Sequence, residues 1–140
     1  MILKQHPTLV VAGDLLGDLN VWNINTKNLQ YSVPEPCTSQ GHKRSLFRIA
    51  GAVVGMSQIE SPGAVAVAFG NDRIDLFSTS DAVDSLNLLR TIDLNNSALN
   101  LSPHRSDQHR YVRGILLTKN ELYICGMSTN YGLLLFDFWD

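Results

Sequence analysis

Ala64–Phe77 reads AVAVAFGNDRIDLF, two alternating apolar segments joined by a polar turn that begins at Gly70. Alternation with a period of two, interrupted by such a turn, is typical of a tight β-hairpin. Val65, Val67 and Phe69 are expected on one face of the first strand, and the alanines between them on the other. Because both faces are apolar, the sequence predicts that this strand lies between two packed layers.

The composition is that of a soluble globular domain. The 140 residues are 44% hydrophobic and 17% charged, with a formal net charge of −2, which is unlike disordered or membrane proteins. Met1–Pro7 lacks the basic region and apolar segment of a secretory signal, and no apolar run approaches the ~20 residues that span a bilayer. We therefore expect one intracellular domain, cytoplasmic or nuclear, that does not contact a membrane.

Residues with reactive chemistry form no pattern typical of a site. Cys37 and Cys125 lack the spacing of a metal or redox motif and are expected to be free thiols. His104–His109 contains two histidines and an aspartate, in a segment interpreted as a solvated loop. Hydrolase, P-loop and dinucleotide motifs are absent from the sequence. The sequence therefore predicts no enzyme activity, catalytic residue, metal site or cofactor. Four acidic residues lack the order of a calcium-binding loop and are interpreted as turn or strand-edge residues: Asp72, Asp75, Asp81 and Asp84.

The central hairpin has two further copies. Thr8–Ile24 contains a strand, a Gly/Asp turn and a second strand, and Tyr111–Phe138 contains the third copy. An inner strand is predicted within Leu46–Met56. Outer strands are predicted at Leu29–Val33 and at Leu86–Leu94, where a short helix is the alternative. The chain is therefore predicted to be all-β.

The three copies align on the aromatic residue in the last strand of each hairpin, which pairs Trp22, Phe77 and Phe136. Repeats of four short strands near 40–45 residues are typical of propeller blades. The spacing here is larger, by about the length of two polar insertions at 34–45 and 95–109.

Short motifs add to this spacing: Gly17-Asp18 in the first hairpin turn, Val21-Trp22-Asn23 at a strand end, and Gly41-His42 before an inner strand. On these residues the sequence resembles the WD40-repeat family of β-propellers, with degenerate repeats. The resemblance implies about three WD40-like four-stranded units, which form an incomplete ring within a single segment spanning 1–140. The units are placed at 8–33, 46–94 and 110–140. The structural repeat positions that the resemblance implies are Asp18, Trp22, His42, Phe77 and Phe136.

Blade stability is expected to depend on packing. Regular family members form a hydrogen-bonded set of His, Ser or Thr, Asp and Trp within a blade, and no copy here supplies all four. Propellers have four to eight blades, and the family closes its ring with an N-terminal outer strand. The residues before Thr8 are too few for both an inner strand and a closing strand. We therefore expect the C-terminal blades of a longer propeller, or a piece completed by another chain.

The resemblance implies a non-catalytic scaffold for protein–protein interaction within a larger assembly. Its partners would be other protein chains or the remainder of the same propeller, because rigid blades hold variable loops in place. An alternative is a basic rim that docks RNA or a nucleoprotein, as in an accessory subunit of an RNA-modifying or RNA-processing enzyme. Scattered surface charge is the competing interpretation of these residues. The rim would consist of Lys43, Arg44, Arg48, Arg105, Arg110 and Arg113.

Overall fold

The described residues form three antiparallel sheets. The computed structural model describes residues 1–34, 51–70, 73–93, 112–126 and 133–137, with 112–113, 125–126 and 133–137 described by their backbone. The first sheet contains β1 (Leu9–Gly13), β2 (Leu19–Asn23) and β3 (Asn28–Val33). The middle sheet contains β4 (Val53–Ile59), β5 (Ala64–Phe69), β6 (Arg73–Ser78) and β7 (Asn87–Asp93). The third sheet contains β8 (Val112–Leu117), β9 (Glu121–Gly126) and β10 (Leu133–Asp137).

Each strand pairs with the next strand in sequence, so every sheet is a meander. The pairing register is the same in all three sheets. Trp22 lies opposite Val10, Phe77 opposite Val65, and Phe136 opposite Leu122. The three aromatic residues therefore occupy equivalent register positions, and one face of each sheet can be compared directly with that of the others.

β5 lies between two packed layers, as its alternation predicts. Val65, Val67 and Phe69 are at most 2% exposed, and the alanines that alternate with them at most 1%. We call the face of each sheet that carries the aromatic register position its front face, and the opposite face its back face. The back of the first sheet packs on the front of the middle sheet, and we call this contact the first joint. The back of the middle sheet packs on the front of the third sheet, and we call this contact the second joint.

Large side chains fill the first joint from both sides. Each such side chain contributes about 1.5–3 kcal/mol when it is fully buried. Apolar packing is therefore the main stabilising contribution here. The first sheet supplies Leu9, Val11, Leu19 and Val21, and the middle sheet supplies Val65, Val67, Phe69 and Phe77.

At the second joint the middle sheet presents the small side chains of β5 beside larger ones from β6 and β7, Ile74, Leu76 and Ile92. Ala64, Ala66 and Ala68 of β5 lie in one cluster with Leu122 and Ile124 of β9. Because alanine leaves room for a larger neighbour, large residues of the third sheet pack closely on β5. The two faces of one strand thus serve two joints of different construction.

The inner strand of the middle sheet differs from its prediction. It spans Val53–Ile59, so it extends past the predicted end at Met56 and includes Ser57 and Gln58. Both side chains bond to a neighbouring sheet or segment, which explains polar residues in an inner strand. The outer strands β3 and β7 are present as predicted, and no helix competes at β7.

The described sheets have three or four strands each, in agreement with the expected incomplete stack of WD40-like units. The middle sheet has four strands, whereas the first and third have three each among the described residues. Beside β1, Ile2 forms a bridge with Val10, so the start of the chain extends the first sheet. The described sheets form an open stack without ring closure. No helix in the described part of the chain has the length and apolar character needed to cross a membrane.

Candidate functional site

The N-terminal segment joins the first sheet to the middle sheet. Its residues pair along the inner edge of β1, where Val11 N donates to Met1 O at 2.8 Å and Leu3 N donates to Leu9 O at 3.0 Å. Leu3 is fully buried in the first joint. The segment is therefore a structural part of this joint.

Gln58 of β4 holds the backbone of this segment through its side-chain amide. Its Nε2 donates to Ile2 O at 2.6 Å, and its Oε1 accepts from Lys4 N at 2.9 Å. An amide that donates and accepts in this way satisfies the two backbone groups that a neighbouring strand would otherwise satisfy. One side chain thus replaces part of a strand ladder.

Gln5 and His6 extend the contact to the turn and loop of the middle sheet. Gln5 Nε2 donates to Glu60 O at 2.8 Å, and Gln5 Oε1 accepts from Thr79 Oγ1 at 3.1 Å. His6 Nε2 lies 2.9 Å from Thr79 O. A Cβ atom on Gly63 would overlap the end of the Gln5 side chain, so a glycine is required for this approach. We call these contacts of Gln5, His6 and Gln58 the latch.

Tyr31 of β3 joins the two sheets near their outer strands. Its hydroxyl donates to Ala82 O in the loop after β6. Partial burial, with a smaller effect of the Asp84 carboxylate, raises the pKa of Tyr31 to about 12. The hydroxyl therefore remains protonated and able to donate well above neutral pH.

The front face of the first sheet is open. Apolar side chains lie across it, and three of them are about half exposed: Ile2 at 55%, Trp22 at 42% and Leu29 at 46%. Val10 lies between Ile2 and Trp22 in the register, and Ala12 follows on the same face. An apolar group of this kind on a sheet face is typical of an interaction surface. We call these five residues the open face.

The equivalent face of the middle sheet is covered. Phe77, at the register position of Trp22, is 3% exposed, and Val65, at the position of Val10, is fully buried. The back face of the first sheet supplies this cover. Trp22 and Phe77 are both aromatic, so the difference in their exposure does not come from the type of residue. It arises because no described sheet covers the open face.

A polar pair recurs on these two front faces. Ser32 Oγ donates to Asn20 Oδ1 at 2.6 Å in the first sheet, and Thr91 Oγ1 donates to Asp75 Oδ1 at 2.8 Å in the middle sheet. Asn20 and Asp75 occupy the same register position. The equivalent residue of the third sheet is Leu134. Neither pair was found from the sequence, because an Asn or Asp and a hydroxyl residue that are 12 or 16 positions apart carry no joint signal.

Asp75 lies within a central strand, and its interpretation as a turn or strand-edge residue is wrong. It is fully buried, and Arg73 Nε donates to its Oδ1 at 2.9 Å. A buried carboxylate is tolerated because it is paired and hydrogen-bonded. Its Oδ2 has no hydrogen-bond partner among the described residues.

The repeat positions implied by the resemblance are only partly described. Trp22 and Phe77 lie on front faces, Phe136 lies on β10 by its backbone, and His42 is outside the described residues. Asp18 ends a turn in which Asp18 N donates to Asp14 Oδ1 at 3.0 Å. Leu16 N also donates to this carboxylate at 2.8 Å, so the Asp14 side chain holds the backbone of the turn that contains Gly17 and Asp18.

The basic rim lies almost wholly outside the described residues. Arg113 is described by its backbone in β8, at a register irregularity between Val112 and Gly114. Cys37, His104–His109 and Asp72 also lie outside the described residues, as do both polar insertions apart from Pro34. In the described part, no three His, Cys, Asp or Glu side chains come together as metal ligands would. The other five basic residues, outside the described ranges, are Lys43, Arg44, Arg48, Arg105 and Arg110.

Solved structures share the arrangement of these sheets. Sqt1 from Saccharomyces cerevisiae matches 92% of this chain with a TM-score of 0.63 and 15% identity. The β-propeller domain of Cps50 (Swd1) from Myceliophteria thermophila matches 95% with a TM-score of 0.61 and 12% identity. The WD40 repeats of RRP9 match 84% with a TM-score of 0.58 and 13% identity. No protein-family model and no curated protein sequence matches this chain.

The chain therefore has the fold of a WD40-like β-propeller segment. It covers 28% of the Sqt1 chain, 33% of the Cps50 chain and 32% of the RRP9 chain. The resemblance inferred from the sequence is confirmed at the level of the fold.

Proposed function

We propose that this chain is a non-catalytic scaffold that binds other protein chains within a larger assembly. The open face carries the proposal. Its aromatic and aliphatic side chains are about half exposed, whereas their equivalents in the middle sheet are buried under a neighbouring sheet. Partly exposed Trp side chains are enriched among the residues that dominate protein interfaces. The partner would be another protein chain or further blades of the same propeller.

A photoreactive phenylalanine analogue at position 22 tests this proposal, because it keeps an aromatic ring on the open face. In cell extract, we expect covalent adducts with protein. Leu15 is the matched control position, since it is 75% exposed and lies in the turn between β1 and β2. Adducts at position 22 that do not exceed those at position 15 would contradict the proposal.

Docking of RNA through the basic rim is the alternative, and salt separates the two. Phosphate contacts release counterions, so RNA binding weakens steeply as the salt concentration rises. Apolar contacts on the open face should be retained in the same series. Adducts that contain RNA, or binding lost in proportion to salt, would favour the alternative.

A further inference from the structure

Resting on the proposed function, we infer that the open face binds the back face of the third sheet of a second copy of this chain. The two copies would form a closed ring of six sheets. The inference starts from the way in which the three sheets of one chain already join.

Front and back faces alternate along the stack. The back of the first sheet covers the front of the middle sheet, and the back of the middle sheet covers the front of the third. One front face, that of the first sheet, and one back face, that of the third, belong to neither joint. The chain thus carries both halves of a contact that it makes twice internally.

The back face of the third sheet has apolar character. Leu116 is 56% exposed and lies opposite Tyr123 in the register of that face. On β10, Leu133 and Leu135 occupy the back-face positions that Leu19 and Val21 occupy in the first sheet. Leu19 and Val21 cover the front of the middle sheet. The third sheet therefore has apolar residues at the positions needed to cover another front face.

The polar pair on the open face is compatible with this burial. Asp75 and Thr91 form the equivalent pair under the first sheet, with Asp75 fully buried. Asn20 and Ser32 are neutral and already bonded to each other, so covering them carries a smaller desolvation cost than covering a charge. Covering Asn20 and Ser32 therefore leaves no unpaired charge on the open face, and the two acidic residues of the opposing back face, Glu121 and Asp137, lie opposite each other at the end of β9 and β10.

Sheet number favours two copies. Propellers close with four to eight blades, and two copies of the three described sheets give six. A contact that joins a front to a back forms either a closed ring or an open filament, depending on the rotation between copies. Two equal joints related by a two-fold axis would leave no face uncovered.

Sedimentation equilibrium of the chain and of two face variants tests the inference. We expect a dimer for the parent chain. Trp22→Asp alters only the front and Leu116→Asp only the back, and each should weaken dimerisation at least about 30-fold per joint. Val83→Asp is the matched control, since Val83 is 53% exposed in the loop after β6, and it should remain a dimer.

Mixing the two variants identifies the geometry. The Trp22→Asp copy keeps its back face and the Leu116→Asp copy keeps its front face, so an equimolar mixture should regain dimers through one intact joint. A front-to-front dimer predicts instead that Leu116→Asp has no effect. That result, a monomeric parent chain, or a series of larger oligomers would overturn the inference.

Circular dichroism checks that each variant folds, and Trp22→Ala and Leu116→Ala replace any variant that does not. The oligomeric state of the parent chain decides the inference in either case. A monomeric parent with protein adducts at position 22 would overturn the ring and leave the scaffold proposal intact. A dimer without adducts to other proteins would support the ring and contradict the scaffold proposal.

Discussion

The first and second joints bury the two faces of the same strand in different ways. In the first joint, Val67 and its neighbours meet large side chains, and the latch adds hydrogen bonds from Gln5, His6 and Gln58. In the second, alanines meet large residues, and one described side-chain bond crosses it, from Leu117 N to Ser57 Oγ at 2.9 Å. Directional hydrogen bonds therefore help to fix the first joint, whereas the second joint depends mainly on complementary side-chain size.

The largest expected effect comes from Val67→Asp, because it places an unpaired charge in the first joint. β5 serves both joints, so we expect the second joint to be lost as well. The free energy of unfolding should fall by more than about 4 kcal/mol. Denaturation by urea and amide exchange at Leu122 and Ile124 measure the two effects.

Val83→Asp is the control for this variant, with an expected change within about 0.5 kcal/mol because Val83 is exposed. Continued protection of the Leu122 and Ile124 amides in the Val67→Asp variant would show that the second joint forms independently of the first.

Gly63→Ala should have an intermediate effect, confined to the first joint. The added methyl group would displace the end of Gln5, which then loses its bonds to Glu60 and Thr79. Loss of two such bonds corresponds to about 1–3 kcal/mol. Chemical denaturation of Gly63→Ala, Gln5→Ala and the double variant should give a combined loss well below the sum.

Gly114→Ala is the matched control, because a methyl group added at this position of β8 would have no described atom within 4 Å. We expect no loss of stability there. Additive losses for Gly63→Ala and Gln5→Ala would mean that the glycine acts independently of the latch.

The smallest effects distinguish the joints through two adjacent residues of β4. Ser57→Ala removes the acceptor of Leu117 N in the second joint, and Gln58→Ala removes the acceptor of Lys4 N in the first. Ser57→Ala should cost about 0.5–1.5 kcal/mol for its one bond. Gln58→Ala also loses the bond to Ile2 O, but both of its bonds are exposed to water, so a total of similar size is expected. Amide exchange should accelerate at Leu117 in one variant and at Lys4 in the other, and each variant is the control for the other. Faster exchange at both amides in either variant would show that the joints are coupled.

The sequence was sufficient for the parts of the fold that depend on local alternation. The six residues of β5 indicate two buried faces. Aligning the three copies on Trp22, Phe77 and Phe136 predicts the register that the three sheets share. Ser57, Gln58 and Asp75 were misplaced, because a polar residue in a strand is interpreted as exposed unless its partner is known. Ser57 and Gln58 have partners in another sheet or segment, and Thr91, which donates to Asp75, lies on the next strand, so no local pattern could reveal these three contacts. Arg73, the other partner of Asp75, lies two residues away on the same strand.

The candidate site was harder to predict for the same reason. Trp22 and Phe77 have equivalent positions and similar chemistry, yet one is 42% and the other 3% exposed. What differs is the neighbouring sheet, which lies far away in sequence. The latch likewise joins residues near the start of the chain to Gln58, Glu60 and Thr79.

The complete burial of β5 has a consequence for the newly synthesised chain. Its sequence, AVAVAF, has no charge and no proline, and its two valines and its phenylalanine favour extended structure, as in segments that form amyloid-like aggregates. The folded protein hides both of its faces, one under each neighbouring sheet. Protection is complete only after β8 and β9 of the third sheet have been synthesised, so we expect this strand to be exposed to aggregation until translation has passed β9.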